Sequence, residues 1–544
     1  MDTGIGIALG FLLPAGLWLV LTAAAPRGQE NHAAASGMLA IAIATLAFFA
    51  FGFAFFAGGL GATLGLKQFA ALSSYAAAPL GGQMWGVIGL RGFALSNTGV
   101  NELLLCMTYL PLAQTASVLT TSALYRRVSY PAQALAAFLA GGVLLPIIGF
   151  WVWGGGWLAR LGVGASLGHG AVDLNGLTLA ALVAGAVAAA WLARLPRATL
   201  APVLPAAGLP MRAFAGMALA LAGLMGFAAT SPLLKSLGAG SLAGLAINGA
   251  AGMAGGALTG MAYAAFVSRR ADTLLAVRCA LAALIGIAAG GATLPPLVAL
   301  LMGLGMGIAM PVVDFAIKQK LHLPDDEFAI AGIFLPALLG MILPGLFAQG
   351  NIGAGWNGVG AEQYLGVKGL GIVGILGAGS APDMGQLSAQ FIAVAVVCAI
   401  GGALGFAFAR VFAPAPNPSD AAEKVTGAKS ITPPTLDAEA EGTPYTPPEE
   451  QLALLLELPA ITPVAPASAP DQPHGETPQP EPSPSTPNQL RTEGGILARL
   501  RNMQAQRDRP AAPKQARKVA YPTRVGGRRL FTRPVAEEQE PKSL

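Results

Sequence analysis

The sequence predicts an all-α membrane protein, and three observations predict it. Of 544 residues, 54% are hydrophobic and only 11% are charged, against about a quarter charged in soluble domains. Mean hydropathy is +0.61. Apolar stretches recur from residue 4 to residue 411, each near the roughly 20 residues a helix needs to cross the hydrocarbon core.

Eleven spans follow in order: 4–25, 36–57, 104–125, 131–153, 171–193, 211–230, 242–267, 272–291, 294–317, 328–349 and 390–411. The first lacks the basic flank of a secretory signal, because Asp2 is the only early charge, and further spans follow it. An odd count puts the two ends on opposite sides. With the N-terminus outside, the inner connections hold eleven Lys/Arg: Arg27, Arg126, Arg127, Arg194, Arg197, Arg212, Arg269, Arg270, Lys318, Lys320 and Arg410. The outer ones hold five: Lys67, Arg91, Arg160, Lys235 and Lys368. Basic residues collect on the cytoplasmic side. The expectation is a multi-pass plasma-membrane protein, N-terminus outside and C-terminus cytoplasmic.

Glycine and alanine saturate the spans, as in GAAGMAGGALTG at Gly249–Gly260. Small residues let helix backbones approach closely in lipid; a Gly/Ala-rich genome would read the same. Two outer connections are long, 58–103 and 350–389, and carry Trp85, Trp356 and Tyr364. They form an outer vestibule or cap the helix ends. Cys106, Cys279 and Cys398 each sit alone in apolar sequence, so neither a metal site nor a disulfide framework is expected.

The apolar character stops near Phe412. Residues 1–412 read as the membrane domain and 413–544 as a disordered, Pro-rich cytoplasmic tail. Between Arg499 and Arg533 the tail has eleven Lys/Arg against one acid, Asp508. That basic segment 499–533 either meets anionic headgroups or stays solvated. Tethering at a membrane argues against nucleic acid. Two short helices are expected in the tail, Pro448–Leu458 and Ile496–Gln506.

The most informative stretch is WVWGGGWLARLGVGASLGHGAVDLN, residues 151–175. It resembles the H-x-V-W-G-G-G and following V-H-I-N of the ammonium transporter/methylammonium permease/Rhesus channel family. Weaker matches follow in order: FGFAFFAGG at Phe51–Gly59, SALYRRVSY at Ser122–Tyr130, GFAATS at Gly226–Ser231, Lys318 followed by Asp325 and Asp326, and GQLSAQ at Gly385–Gln390. The resemblance covers roughly residues 4–412. It implies the ammonium-transporter fold: two inverted five-helix halves, spans 1–5 and 6–10, around a mid-membrane pore, plus one further helix. The second half would begin near Met211. It also implies a homotrimer.

Functional positions carry over one by one. The family recruits ammonium at an outer cup through an aromatic face and a hydroxyl. Trp153 matches the tryptophan and Ser231 the serine, and an indole face with an oxygen acceptor suits a small cation. Of the two stacked phenylalanines below, Phe227 matches one and Leu112 stands at the other, giving a gate of Phe227 and Leu112. The two pore histidines fall on Asp173 and Phe334. The aspartate that usually precedes the fifth span appears as Ala165.

A carboxylate in an apolar span costs several kcal/mol unless solvated or paired. Asp173 therefore reads as a pore acid, with His169 and Asn175 as candidate partners; at i, i+4, His169 and Asp173 would share one helix face. The other reading makes Asp173 the cap of the fifth helix. Trp153 is a cup residue or an interfacial anchor, and Phe334 a plug or packing residue. Asp314 reads as a helix-end acid near Lys318, and Asp325, Asp326 and Glu327 as caps of the tenth helix.

There is no P-loop, no G-x-S-x-G and no paired Cys/His ligand set. An enzyme, a cofactor and catalytic or metal-ligating residues are not expected. The leading expectation is passage of ammonium or ammonia, recruited by Trp153 and Ser231, gated by Phe227 and passed at Asp173. The alternatives are a non-conducting ammonium sensor or scaffold whose tail recruits a cytoplasmic regulator, and a channel for a neutral gas or another cation.

Overall fold

A computed structural model describes residues 3–25, 28–195, 209–325, 327–377 and 382–413. The tail beyond residue 413, with its basic segment and two expected helices, lies outside them, as does Asp326.

Among the described residues, nine helices are long and apolar enough to cross a membrane, and two further apolar helices are shorter. In chain order they are α1 (Thr3–Leu21), α2 (Glu30–Thr63), α3 (Val100–Leu124), α4 (Tyr130–Val152), α5 (Leu177–Leu192), α6 (Pro210–Thr230), α7 (Gly240–Ser268), α8 (Thr273–Ala288), α9 (Pro296–Leu321), α10 (Ile330–Phe347) and α11 (Met384–Phe412). Each falls on an expected span. α5 and α8, the two shorter ones, have 16 residues each, fewer than the roughly 20 of the expected spans. Before α5 the backbone turns at Gly168 and Gly170, with φ of 58° and 71°, so helix cannot form across the fifth span's expected start. After α8 the chain closes tight turns, with Thr293 N–H donating to Gly290 O at 2.7 Å.

Helix starts follow local chemistry. Pro131 and Pro296 sit in the first turns of α4 and α9, where the missing N–H costs nothing. Asp272 accepts from Leu275 N at 3.0 Å to cap α8, and Asp383 from Gln386 N at 3.1 Å to cap α11. Asp325 accepts from Ala329, Ile330 and Ala331 N at 2.6, 2.9 and 3.3 Å, satisfying orphan donors at the start of α10.

Packing depends on missing side chains. α1 lies along α6, α7 along α9, and α5 touches α3, α10 and α11. A Cβ added at Gly216 would sit 2.7 Å from Gly16 O, and one at Gly340 would sit 2.6 Å from Gly286 O. Only backbones without side chains approach this closely. The first and sixth helices thus form a neighbouring pair, one member from each half, and the eighth and tenth helices approach as closely.

The two long connections, 58–103 and 350–389, contain strands, a small departure from an all-α chain. β1 (Tyr75–Leu80) pairs antiparallel with β2 (Gln83–Gly89). The turn between them is Gly81-Gly82 with φ of 60° and 76°, the left-handed pair that a two-residue hairpin requires. The hairpin docks on the end of α4: Trp151 Nε1 donates to Val87 O at 2.6 Å and Trp157 N to Gly86 O at 2.9 Å. A shorter pair, β3 (Gln363–Tyr364) and β4 (Val367–Lys368), lies in the second connection.

Candidate functional site

WVWGGG ends α4 at Val152 and folds its WGGG into a tight turn. Thr63 Oγ1 donates to Gly154 O at 2.7 Å, and a Cβ at Gly155 would meet the Thr63 side chain at 2.8 Å. Glycine there lets the end of α2 close against the turn. The result is one wall of a cavity of about 470 Å³ whose lining includes Thr63, Trp153, Arg160, Leu233, Trp356 and Asn357. Both long connections contribute, so they form a vestibule as well as capping helix ends.

Trp153 lines this vestibule and is itself buried, with its indole N–H donating to the Asp173 carbonyl at 2.8 Å. Beneath it lies an aromatic cluster centred on Tyr109 of α3. The Tyr109 ring is 6.0 Å from that of Trp153 and 4.6 Å from that of Phe56. It stands edge-on to Phe227 at 5.3 Å, a geometry that the ring quadrupoles favour. The Tyr109 hydroxyl lies 3.1 Å from Ser231 Oγ, which also accepts from Leu234 N at 3.5 Å. Trp153, Phe227 and Ser231 are therefore brought together, and Tyr109 joins them. Leu112 is fully buried and lines a cavity of about 10 Å³ with Phe56, Tyr109 and Trp153. That is about the smallest space that holds one water.

Asp173 is buried, and its carboxylate oxygens are occupied. Oδ1 accepts from Asn175 N at 3.2 Å and Gly176 N at 3.0 Å, and Oδ2 from Leu179 N at 2.8 Å. These donors open α5, so the carboxylate caps that helix. Its Asn175 partner is the backbone; the buried Asn175 side-chain amide has no partner among the described residues. The expected shared helix face with His169 is corrected, since residues 168–176 are not helical. His169 instead turns to the second long connection. Its backbone N–H donates to Gln386 Oε1 at 2.8 Å, its carbonyl accepts from Asn357 Nδ2 at 2.8 Å, and its ring stands edge-on to Tyr364 at 5.3 Å. Burial depresses the imidazole to about 4, with the Leu370 backbone drawing it partly back up.

Phe334 ends a π-helical turn at the start of α10 and is half-buried. A Cβ at Gly185 of α5 would sit 2.6 Å from Phe334 Cβ, so Phe334 packs onto the bare surface of α5.

At the other end of the bundle, Glu327 holds two arginines: Arg126 at 3.3 Å and Arg278 at 3.2 Å. Arg278 also donates to Leu21 O at 3.3 Å and lies 4.4 Å above the Phe328 ring, which Lys318 approaches equally closely. Glu327 is thus an ion-pair centre instead of the expected cap, because its side chain lies between the buried Arg278 and the half-buried Arg126. Asp314 pairs with Lys318 at 2.9 Å. Among the described residues no cluster of His, Cys, Asp and Glu could hold a metal ion.

Sequence reasoning missed Tyr109 and Arg278. Arg278 left a signal, a charge inside an apolar segment. Tyr109 left none beyond its hydroxyl in α3. Together the cup offers an indole, a phenol and a serine oxygen, enough to hold a small cation or a polar molecule of similar size.

The sequence profile of the Ammonium Transporter Family matches residues 4–419. The ammonium transporter Amt1 of Methanocaldococcus jannaschii is 30% identical over 245 residues, 43% of this chain and 58% of that protein. The chain thus spans little more than half the length of that relative. Among solved structures, one named Sensor Amt Protein superposes with a TM-score of 0.57 at 20% identity, covering 75% of this chain and 91% of that one. Candida albicans Mep2 gives 0.55 at 18% identity, covering 74% and 81%. At these identities the superpositions speak for the fold.

Proposed function

Because the chain belongs to the Ammonium Transporter Family, we propose that it passes ammonium or ammonia across the plasma membrane through the site under Trp153. The observation that carries this reading is the position of Trp153: it lines the vestibule and contacts the Tyr109 ring, whose hydroxyl reaches Ser231. Trp153 and Ser231 recruit the solute, with Tyr109 between them. Phe227 and Leu112 form the gate beneath, where the cavity narrows to about 10 Å³. Phe334 of α10, packed against Gly185 of α5, narrows the route further. Asp173 acts from its cap position, holding the start of α5 and the backbone under the indole; His169 anchors the neighbouring loop. No enzymatic reaction belongs to this reading.

The assembly is a homotrimer in the bilayer, N-terminus outside and C-terminus cytoplasmic, on the strength of the family and the Lys/Arg distribution. The tail is then free to recruit a cytoplasmic regulator.

A second reading has its own support. Three backbone donors already hold the Asp173 carboxylate, and no second acid or histidine stands at Phe334. A cup above such a route suits a protein that binds ammonium and reports it through the tail.

Uptake of labelled methylammonium into cells lacking their own ammonium transporters separates the two. The native chain should restore uptake. Trp153→Leu, losing a cation–π contact of about 0.5–2 kcal/mol, should raise the half-saturating concentration roughly 2- to 30-fold. Native chain at the membrane without uptake would reject transport.

A further inference from the structure

The vestibule takes its charge from one sign only. Arg160 is the one ionisable side chain among its lining residues, and it makes no ion pair among the described residues. Lys67 and Lys235, both exposed, adjoin the lining residues Leu66 and Ser236 in the chain. No Asp or Glu occurs among the lining residues or their immediate chain neighbours. Outer acids are engaged or set apart: Glu102 accepts from Gly99 N at 3.0 Å, Asp383 takes the Tyr364 hydroxyl at 2.8 Å and caps α11, and Glu362 is exposed, past the lining run that ends at Gly358. The Asp173 carboxylate is buried below on three amides.

A cleft of one sign with low-dielectric walls changes the local concentration of charged solutes by about 10- to 1000-fold. The Debye length is about 10 Å at 0.1 M salt and about 30 Å at 0.01 M, so the field reaches further as salt falls. We propose that Arg160 is a specificity-determining residue, holding the vestibule positive so that it admits uncharged amines and small anions more readily than ammonium. Cations then reach Trp153 only against that field. The claim about the field stands on the lining residues; its consequence for ammonium rests on the transport reading.

The test separates the two. Val163 lines the vestibule and is exposed, while Cys106 and Cys279 are buried and Cys398 half-buried. In the full chain with Val163→Cys, modification rates are compared for a methanethiosulfonate bearing a sulfonate and one bearing a trimethylammonium, with the native chain as background. Arg160→Glu should lower the sulfonate-to-ammonium rate ratio by about tenfold or more, Arg160→Gln less, and Arg160→Lys little. A ratio that Arg160→Glu leaves unchanged overturns the proposal. In proteoliposomes, added salt should lower the half-saturating ammonium concentration of the native chain and leave that of Arg160→Gln unchanged; salt responses alike in both would contradict it. If no variant carries current, the transport reading fails and the reagent ratio still decides the field.

Discussion

The Tyr109 hydroxyl and Ser231 Oγ lie 3.1 Å apart, tying α3 to the end of α6 at the floor of the cup. The serine oxygen assigned to recruitment is therefore already engaged, by a residue whose ring also touches Trp153 and Phe227.

Tyr109→Phe keeps the ring and removes this contact. It should cost about 1 kcal/mol of stability, the usual net worth of one hydrogen bond. With the serine oxygen released, the half-saturating ammonium concentration should fall, on the order of 2- to 5-fold for a gain of up to 1 kcal/mol. Proteoliposome currents over a concentration series check it; a rise would mean that the tyrosine hydroxyl itself binds the solute.

Asp173 makes a different prediction for each substitution. Asp173→Ala leaves three buried backbone donors unmet, at about 1–3 kcal/mol each, and should lower the melting temperature in detergent clearly. Asp173→Asn retains an acceptor oxygen and should lose much less. Equal losses would mean that charge, not acceptance, secures the start of α5.

Glu327 is shared by Arg126 and the buried Arg278. Glu327→Ala strands a buried cation and should cost about 3–5 kcal/mol. Adding Arg278→Met removes that cation and should recover most of the loss. A double variant as unstable as the single one would show that the pairing is incidental.

His169 predicts a pH dependence. Burial lowers its imidazole from 6.5 to about 4. Between those values the unfolded chain binds a proton that the native chain does not, so stability is lost as pH falls from about 6.5 to about 4 and levels off below. The full effect is on the order of 3 kcal/mol at most. His169→Gln should lack this component in thermal unfolding at stepped pH. Parallel profiles for the two proteins would contradict the assignment.

What the sequence made legible was periodic or local. Apolar runs located each of the long and shorter apolar helices among the described residues, and the Pro131 and Pro296 starts follow from single residues. What stayed hidden depends on the third dimension. Arg278 finds Glu327 49 residues away. Tyr109 matters because α3 and α6 meet at its hydroxyl. Asp173 was legible as an acid in apolar sequence with two readings, and only the turns at Gly168 and Gly170 bring its carboxylate onto the amides that open α5. Phe334 stands out only against Gly185, a gap that neither residue announces alone.

The most direct measurement is ammonium current from the native chain in proteoliposomes on a solid-supported membrane, with Asp173→Asn beside it. The account predicts a saturable current in both, because the acid's role is to cap α5. No current from a folded native assembly would contradict transport and leave a protein that binds ammonium and reports it. Current in the native chain alone would return Asp173 to the conduction path.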